Sequence, residues 1–136
     1  MDIALLEKEL KRDEGEKLFP YVDPVGKTTI GVGRNLTDRG IDPDESALML
    51  HNDIQHVIQM LNASLPWWTT LTDARQRVLA NMCFNLGWPR LMLFKQMLAA
   101  MQAGDIEGAE KEMLDSKWAK QVGARADRLA AQWRAG

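Results

Sequence analysis

The sequence lacks the features that mark exported, membrane-spanning or disulfide-stabilised proteins. Its 136 residues include one cysteine, Cys83, so no disulfide can form within the chain. No stretch approaches the ~20 consecutive apolar residues of a membrane span. The N-terminus, MDIALLEKELKRDEG, alternates charged and apolar residues and has no apolar signal-peptide core. We therefore expect synthesis in the cytoplasm without a signal peptide, and no stable membrane insertion.

Signatures of metal, cofactor and nucleic-acid binding are also scarce. The two histidines, His51 and His56, are five positions apart and do not share a helix face as ligands at i and i+4 would. The Gly-x-Gly at residues 31–33 lacks the third glycine of a dinucleotide loop, because Leu36 stands in its place. A net charge of −2 gives no drive toward nucleic acid. We expect no metal, no cofactor and no nucleic-acid partner.

What is present is the composition of one globular domain. Hydrophobic residues make up 46% of the chain and charged residues 26%, which are ordinary values for a folded domain. A chain of this length can bury roughly two thirds of its unfolded surface. Cys83 lies in the apolar run VLANMCFNLG, which favours a buried thiol over a nucleophile.

The first third of the chain predicts a helix followed by a small sheet. Asp2 is a candidate N-cap and Gly15 a natural stop. Glu14 is thereby placed at a helix C-terminus, where the helix dipole disfavours a carboxylate, so its presence suggests function rather than stability. Residues 18–32 contain an Asp-Pro-Val-Gly turn between strand-like segments, which predicts an antiparallel hairpin. A third short strand is expected near residues 34–41.

The remainder predicts helices. Asp42-Pro43-Asp44-Glu45 is a strong helix start, and this helix should run to about residue 63 with one buried face. That face comprises Ala47, Leu48, Leu50, Ile54, Val57, Ile58 and Leu61. Further helices are expected over about 73–86, 89–103, 105–116 and 118–134, the last interrupted at Gly123. The methionines, chiefly Met82, Met92, Met97, Met101 and Met113, should fill the core. Trp118 and Trp133 should pack the C-terminal helices, whereas Trp67, Trp68 and Trp88 lie near helix ends, where they can be exposed.

One constellation carries chemistry. Glu14 is followed after eight residues by Asp23 and after five more by Thr29, and a Gly-x-Gly comes next. Two carboxylates flanking one bond, with a hydroxyl to hold a water, are what hydrolysis of a glycosidic bond requires.

These residues resemble the phage-type lysozymes of glycoside hydrolase family 24, which carry the same Glu, Asp and Thr at the same spacing in a passage that ends in a T-I-G-x-G element. The resemblance continues in residues 81–87 (NMCFNLG), in Ser116-Lys117-Trp118 and in residues 125–128 (RADR), and it ends with residues 133–136 (WRAG). It covers essentially the whole chain in the same order.

The resemblance implies an α+β, mostly helical, two-lobed lysozyme-like fold. A small β-containing lobe would comprise residues 15–42 and a linking helix residues 43–63. A helical lobe would comprise residues 64–136 together with the N-terminal helix 3–14, with a cleft between the lobes. It also implies a monomer whose partner is the peptidoglycan glycan strand, cleaved at the β-1,4 bond between N-acetylmuramic acid and N-acetylglucosamine.

The roles of individual residues follow from the same resemblance. Glu14 would be the general acid, while Asp23 and Thr29 would orient a water on the opposite face of the sugar, which inverts the anomeric centre. Arg125 would organise the site. Asn85 would bind an N-acetyl group or would simply be a polar residue near a helix end. The remaining substrate-binding candidates are Tyr21 and Gly31.

Two departures and two alternatives accompany this prediction. Arg34 stands where many relatives have histidine, so an ion pair built on that histidine must be altered or absent. The segment around residues 34–42 is shorter than in the longest relatives, which implies a more open cleft.

A lytic transglycosylase would need the acid but not the water-positioning pair, and a silent peptidoglycan-binding module would need neither. Without an export signal, the enzyme would reach the periplasm or cell wall through a holin-type membrane lesion or another secretion route.

Overall fold

The computed structural model describes residues 1–136 and divides into two compact units, Met1–Leu48 and Met49–Gly136. We call them unit 1 and unit 2. Unit 1 contains the only β-structure, and unit 2 is entirely helical. The fold class is therefore α+β and mostly helical, as the sequence predicted.

Unit 1 begins with helix α1 (Ile3–Glu14), and the predicted caps are confirmed. The Asp2 carboxylate accepts a hydrogen bond from the N–H of Leu5 at 3.0 Å. At the other end Gly15 has φ +76° and donates its N–H to the carbonyl of Lys11. Glu14 is the last residue of the helix, so its position at the C-terminal end is also confirmed.

The sheet of unit 1 has three antiparallel strands in the order β1 (Lys17–Val22), β2 (Thr28–Gly31) and β3 (Arg34–Asn35). Tyr21 pairs with Thr29 in the first ladder, and Thr29 pairs with Asn35 in the second. The predicted hairpin and third strand are confirmed, although the third strand is only two residues long. It is followed by the short helix α2 (Leu36–Arg39), which Asn35 caps.

Helix α3 (Pro43–Ser64) begins and ends within a residue of its prediction. Its predicted buried face was wrong for the N-terminal half, because only Val57 and Leu61 are buried. Leu48 is 61% exposed, Leu50 51% and Ile54 41%. An apolar stripe indicates which side of a helix is suited to packing, but not how far along the helix other elements cover it.

Unit 2 continues with a 3-10 turn (Pro66–Thr70) and six helices. These are α4 (Asp73–Leu86), α5 (Trp88–Leu91), α6 (Lys95–Ala103), α7 (Ile106–Leu114), α8 (Lys117–Val122) and α9 (Ala124–Ala135). The break between α8 and α9 at Gly123 is confirmed. The single helix predicted from residue 89 to 103 is instead two, because a tight turn intervenes in which Phe94 donates its N–H to the carbonyl of Leu91 at 3.0 Å.

All buried hydrophobic side chains belong to residue 57 or later, so the hydrophobic core lies in unit 2. Trp118 and Trp133 are buried as predicted. Trp68, one of the three tryptophans that could have been exposed, is also buried, and its indole N–H donates to Asn62 Oδ1 at 2.8 Å. The core methionines are Met82, Met97, Met101 and Met113.

Cys83 is a core residue. Its side chain is 1% exposed, and burial raises the pKa of its thiol. The prediction of a buried thiol is confirmed. Among the helices, none has a run of apolar residues long enough to cross a bilayer.

Candidate active site

The carboxyl group of Glu14 lies against the main chain of Gly33. A methyl group built on Gly33 would lie 3.1 Å from Glu14 Oε2 and 3.4 Å from Cδ. Gly33 also has φ +66°, a conformation that glycine adopts without steric cost. The second glycine of the Gly-x-Gly element thus allows the end of α1 and the segment after β2 to approach closely.

Asp23 sits in the turn between β1 and β2, where main-chain groups hold its side chain. Its Oδ1 accepts hydrogen bonds from the N–H groups of Val25 at 3.0 Å and Lys27 at 2.8 Å. The Asp23 N–H in turn donates to the Lys27 carbonyl at 2.9 Å. No hydrogen bond from the protein reaches Oδ2, so one carboxylate oxygen is anchored and the other is available.

Thr29 is the only buried polar residue of the protein, with 4% of its surface exposed. Its hydroxyl donates to the Lys27 carbonyl at 3.0 Å. A hydroxyl has one hydrogen to donate and two lone pairs, so Thr29 Oγ1 presents itself to any further partner as an acceptor.

Lys27 therefore connects the two residues that the sequence paired as holders of a water. Its N–H anchors Asp23, and its carbonyl anchors Thr29. Sequence reasoning assigned it no role, because the contacts are made by its main chain and any residue type except proline could supply them. One feature of the sequence could have predicted these contacts, namely the turn that begins at Asp23. In such a turn the aspartate side chain accepts hydrogen bonds from main-chain N–H groups a few residues later in the chain.

Tyr21 and Gly31, the other predicted site residues of unit 1, lie on β1 and at the end of β2. The ammonium group of Lys17 is 5.7 Å from the centre of the Tyr21 ring. Gly31 has φ +68°, and a methyl group built on it would have no atom within 4 Å. Unit 1 thus contains five of the seven predicted site residues, Glu14, Asp23, Thr29, Tyr21 and Gly31.

Asn85 and Arg125, the two predicted site residues of unit 2, both make side-chain hydrogen bonds there. Asn85 Oδ1 accepts the indole N–H of Trp118 at 2.7 Å. Arg125 donates through Nη2 and Nε to Asn81 Oδ1 at 2.8 and 3.1 Å. Asn81 precedes Asn85 by one turn of α4, so the two amides share a helix face. Asn81 belonged to a recognised motif, but sequence reasoning gave it no role.

Arg125 also borders a groove of about 440 Å³ within unit 2. Its lining is largely apolar with a polar margin and comprises Leu50, Ile54, Val57, Arg77, Ala80, Asn81, Phe84, Arg125 and Gln132. A groove with few polar groups on an apolar floor is the usual form of a ligand site.

Arg34, where the family resemblance predicted an altered or absent ion pair, forms an ion pair with Glu45. The pKa of Glu45 is lowered to about 2, first by the hydrogen bond from Arg34 and then by the N–H of Asp42. The Asp42 N–H donates to Glu45 Oε1 at 2.8 Å, which is one half of a capping box.

The carboxylates of Asp42, Asp44 and Glu45 lie within 4.8 Å of one another. Arg39 pairs with Asp42 at 3.2 Å and Arg34 with Glu45. Two of the three negative charges are therefore already compensated by arginines of the protein.

The family model for phage lysozymes matches residues 11–134, a range that contains every predicted site residue. The pre-baseplate central spike protein Gp5 of Enterobacteria phage T4 is 32% identical over an alignment covering 88% of this chain. This chain spans only 26% of the length of Gp5. Two proteins of Dictyostelium discoideum, described as probable T4-type lysozymes 2 and 1, are 26% and 27% identical. Those alignments cover 98% and 93% of this chain, and 96% and 92% of the two proteins.

Proposed function

The chain belongs to the phage lysozyme family, a family of glycoside hydrolases, and on that premise we propose that it is an endolysin-like muramidase. Its substrate is bacterial peptidoglycan, and the bond it cleaves is the β-1,4 linkage between N-acetylmuramic acid and N-acetylglucosamine. The observation that carries the proposal is the arrangement in unit 1, where Asp23 and Thr29 are tied to the same residue and Glu14 rests on Gly33.

Glu14 is the general acid of this proposal. It donates its proton to the glycosidic oxygen as the bond to the anomeric carbon breaks, so the leaving sugar departs as a neutral alcohol. Contact with the Gly33 main chain limits the positions that the carboxyl group can take. Because the carboxyl group is already restricted, it loses less conformational entropy when it adopts the reactive geometry than a freely rotating carboxyl group would.

Asp23 and Thr29 hold the attacking water. Asp23 Oδ2 and Thr29 Oγ1 are both acceptors, since the Thr29 hydrogen is engaged by Lys27. A water bound by the two must donate both of its hydrogens, which leaves its lone pairs free to attack the anomeric carbon. Asp23 accepts the proton that the water loses. Attack from the face opposite Glu14 inverts the anomeric centre and requires the carboxyl groups to be ~6.5–9.5 Å apart.

The residues of unit 2 act as substrate-binding groups in this proposal. Asn85 uses its oxygen for Trp118, so its NH₂ group is the part left to donate to the carbonyl of an N-acetyl group. Arg125, fixed by Asn81 beside the groove, supplies donors for sugar or peptide oxygens. The enzyme acts as a monomer on periplasmic glycan strands, after release through a holin-type lesion.

Mass spectrometry of purified peptidoglycan after digestion tests the proposal. The wild type should yield products with a free reducing end, and Glu14→Gln should yield none, because the amide cannot donate the proton. Loss should exceed ~10²-fold, the lower range for a general acid. Glu16→Gln is the matched control, since Glu16 is an exposed glutamate two residues away, paired only with Lys11 at 3.3 Å.

Each other product pattern has a distinct meaning. Anhydro sugars, lighter by one water, would instead identify a lytic transglycosylase, in which the sugar's own hydroxyl attacks. Binding without any product would identify a silent wall-binding module. Proton NMR of the first anomer released from a soluble oligosaccharide tests inversion separately.

A further inference from the structure

The Arg34–Glu45 ion pair joins two parts of unit 1 that are eleven residues apart in sequence. Arg34 is the first residue of β3, where it pairs with Ile30 of β2. Glu45 is in the first turn of α3. Both side chains are more than half buried, with 27% and 34% of their surfaces exposed. A partly buried pair is screened less by solvent than one on an open surface.

Glu45 is itself held in place. Its Oε2 contacts Arg34, while its Oε1 accepts the N–H of Asp42 at 2.8 Å. The second oxygen is thereby tied to the main chain at the start of α3. The guanidinium of Arg34 is thus bound to a carboxylate with little freedom to move.

Arg34 directly follows Gly33, whose main chain is the surface against which the Glu14 carboxyl lies. The contacts form one series: α3 holds Glu45, Glu45 holds Arg34, Arg34 fixes the main chain at Gly33, and Gly33 limits the position of Glu14. Gly33 has a positive φ and follows another such glycine, Gly31. Glycine has more backbone freedom than any other residue type, so a side-chain anchor directly after these two glycines restricts a segment that would otherwise be flexible.

We propose that the Arg34–Glu45 clasp, meaning this ion pair together with the bond from Asp42 N–H, positions the catalytic acid Glu14 by fixing the main chain at Gly33. This inference rests on the proposed function for Glu14 as the acid. Arg34 and Glu45 touch neither substrate nor water in the mechanism and are positioning residues. Their contribution belongs to the chemical step rather than to substrate binding.

The test compares Glu45→Gln and Arg34→Gln with the wild type and with Asp44→Asn. Glu45→Gln keeps an oxygen for the Asp42 N–H but loses the charge that pairs with Arg34. Asp44→Asn removes one negative charge from the same helical turn without touching an ion pair. We expect kcat to fall about tenfold in both clasp variants, below the ~10²-fold that a 1 Å misplacement can cost. KM should be unchanged, and Arg34→Lys should recover part of kcat.

A second measurement follows the position of Glu14 without any turnover. In the wild-type background, Glu14→Gln should shift the Hα resonances of Gly33, because it replaces the carboxyl group next to them with an amide. The same change made in the Glu45→Gln background should shift them less. The Lys11 to Glu16 pair provides a control, since Glu16→Gln in either background should leave Gly33 unaffected.

The outcomes separate this inference from the proposed function. If clasp variants retain wild-type kcat, or if Asp44→Asn loses as much, the clasp does not position the acid. An undiminished Gly33 shift in the Glu45→Gln background overturns the inference as well. If the wild type itself releases no product, the proposed function fails, while the NMR comparison still decides whether the clasp holds Glu14 against Gly33.

Discussion

At the scale of single residues, Gly33 has two independent reasons to be glycine. Its φ of +66° disfavours any side chain, and a methyl group would lie 3.1 Å from the Glu14 carboxyl. We expect Gly33→Ala to lower the free energy of unfolding by ~1 kcal/mol or more and to reduce kcat at least tenfold, because the displaced carboxyl is the proposed acid. Urea unfolding and turnover of peptidoglycan measure the two effects.

Gly40 provides the control that separates strain from contact. It has the same φ of +66°, but a methyl group built on it would have no atom within 4 Å. Gly40→Ala should therefore lose similar stability and retain its kcat. Equal activity in the two variants would mean that the approach of Gly33 to Glu14 has no catalytic consequence.

The sequence predicted Glu14, Asp23 and Thr29 as acid, carboxylate and hydroxyl, because glycosidic hydrolysis needs these residue types and their spacing resembles that of the family; these roles stay a prediction. It did not identify Gly33 or Lys27 as their supports. Gly33 was visible only as part of a glycine pair, and Lys27 acts through main-chain atoms that every residue except proline has. The geometry of the hairpin decides which main-chain groups contact which side chains. That geometry cannot be predicted from the amino-acid composition.

At the scale of secondary-structure elements, the clasp between β3 and α3 should make stability depend on pH. The pKa of Glu45 is about 2 in the folded protein against 4.5 ordinarily. A carboxyl with a depressed folded pKa stabilises the protein above its unfolded pKa and ceases to do so as pH falls through the folded value. The contribution of Glu45 should thus be complete above about pH 4.5 and disappear toward about pH 2.

Urea unfolding of the wild type and Glu45→Gln at several pH values tests this dependence. The wild type should have the higher midpoint near neutral pH, and the difference should shrink as pH falls below 4.5. Arg34→Gln should give the same trend, since it removes the other partner. A difference that is constant with pH would show that the ion pair does not stabilise unit 1.

Helix boundaries with capping chemistry were predicted well, and those without it were not. Asp2 and Gly15 each bond the main chain at a helix end as expected, and Thr72 does so at the start of α4. The break between α5 and α6 has no glycine or proline to announce it. There Phe94 meets the ring of Trp118 edge-on with 6.4 Å between centres, and Leu91 and Met97 are both buried. The turn is accompanied by packing against residues that are distant in sequence. Local sequence propensity carries no information about such contacts, so the turn could not be predicted from it.

At the scale of the whole molecule, burial is distributed very unevenly. Thr29 is the only buried residue before Val57, and twenty hydrophobic residues form the core from Val57 onward. Local stability follows buried apolar contact, so unit 1 should open more readily than unit 2. Hydrogen exchange should be faster in the amides of β1 and β2 than in those of α4, which contributes five buried residues.

Mass spectrometry of peptic fragments gives this comparison in one experiment. Exchange under denaturing conditions corrects each fragment for its intrinsic rate. Protection of β2 equal to that of α4 would mean that the sheet is stabilised as strongly as the core. Lower protection from exchange in β1 and β2 than in α4 would show that the proposed catalytic residues belong to the less stable of the two units.

The buried thiol has a practical consequence for anyone who wishes to attach a probe. Cys83 is almost inaccessible, and its raised pKa keeps it in the unreactive protonated form. A thiol-specific reagent should therefore modify the native protein negligibly and the unfolded protein once. A cysteine introduced at the surface would then be the sole point of attachment. Fluorophores or spin labels can be placed on either unit without first removing the native cysteine.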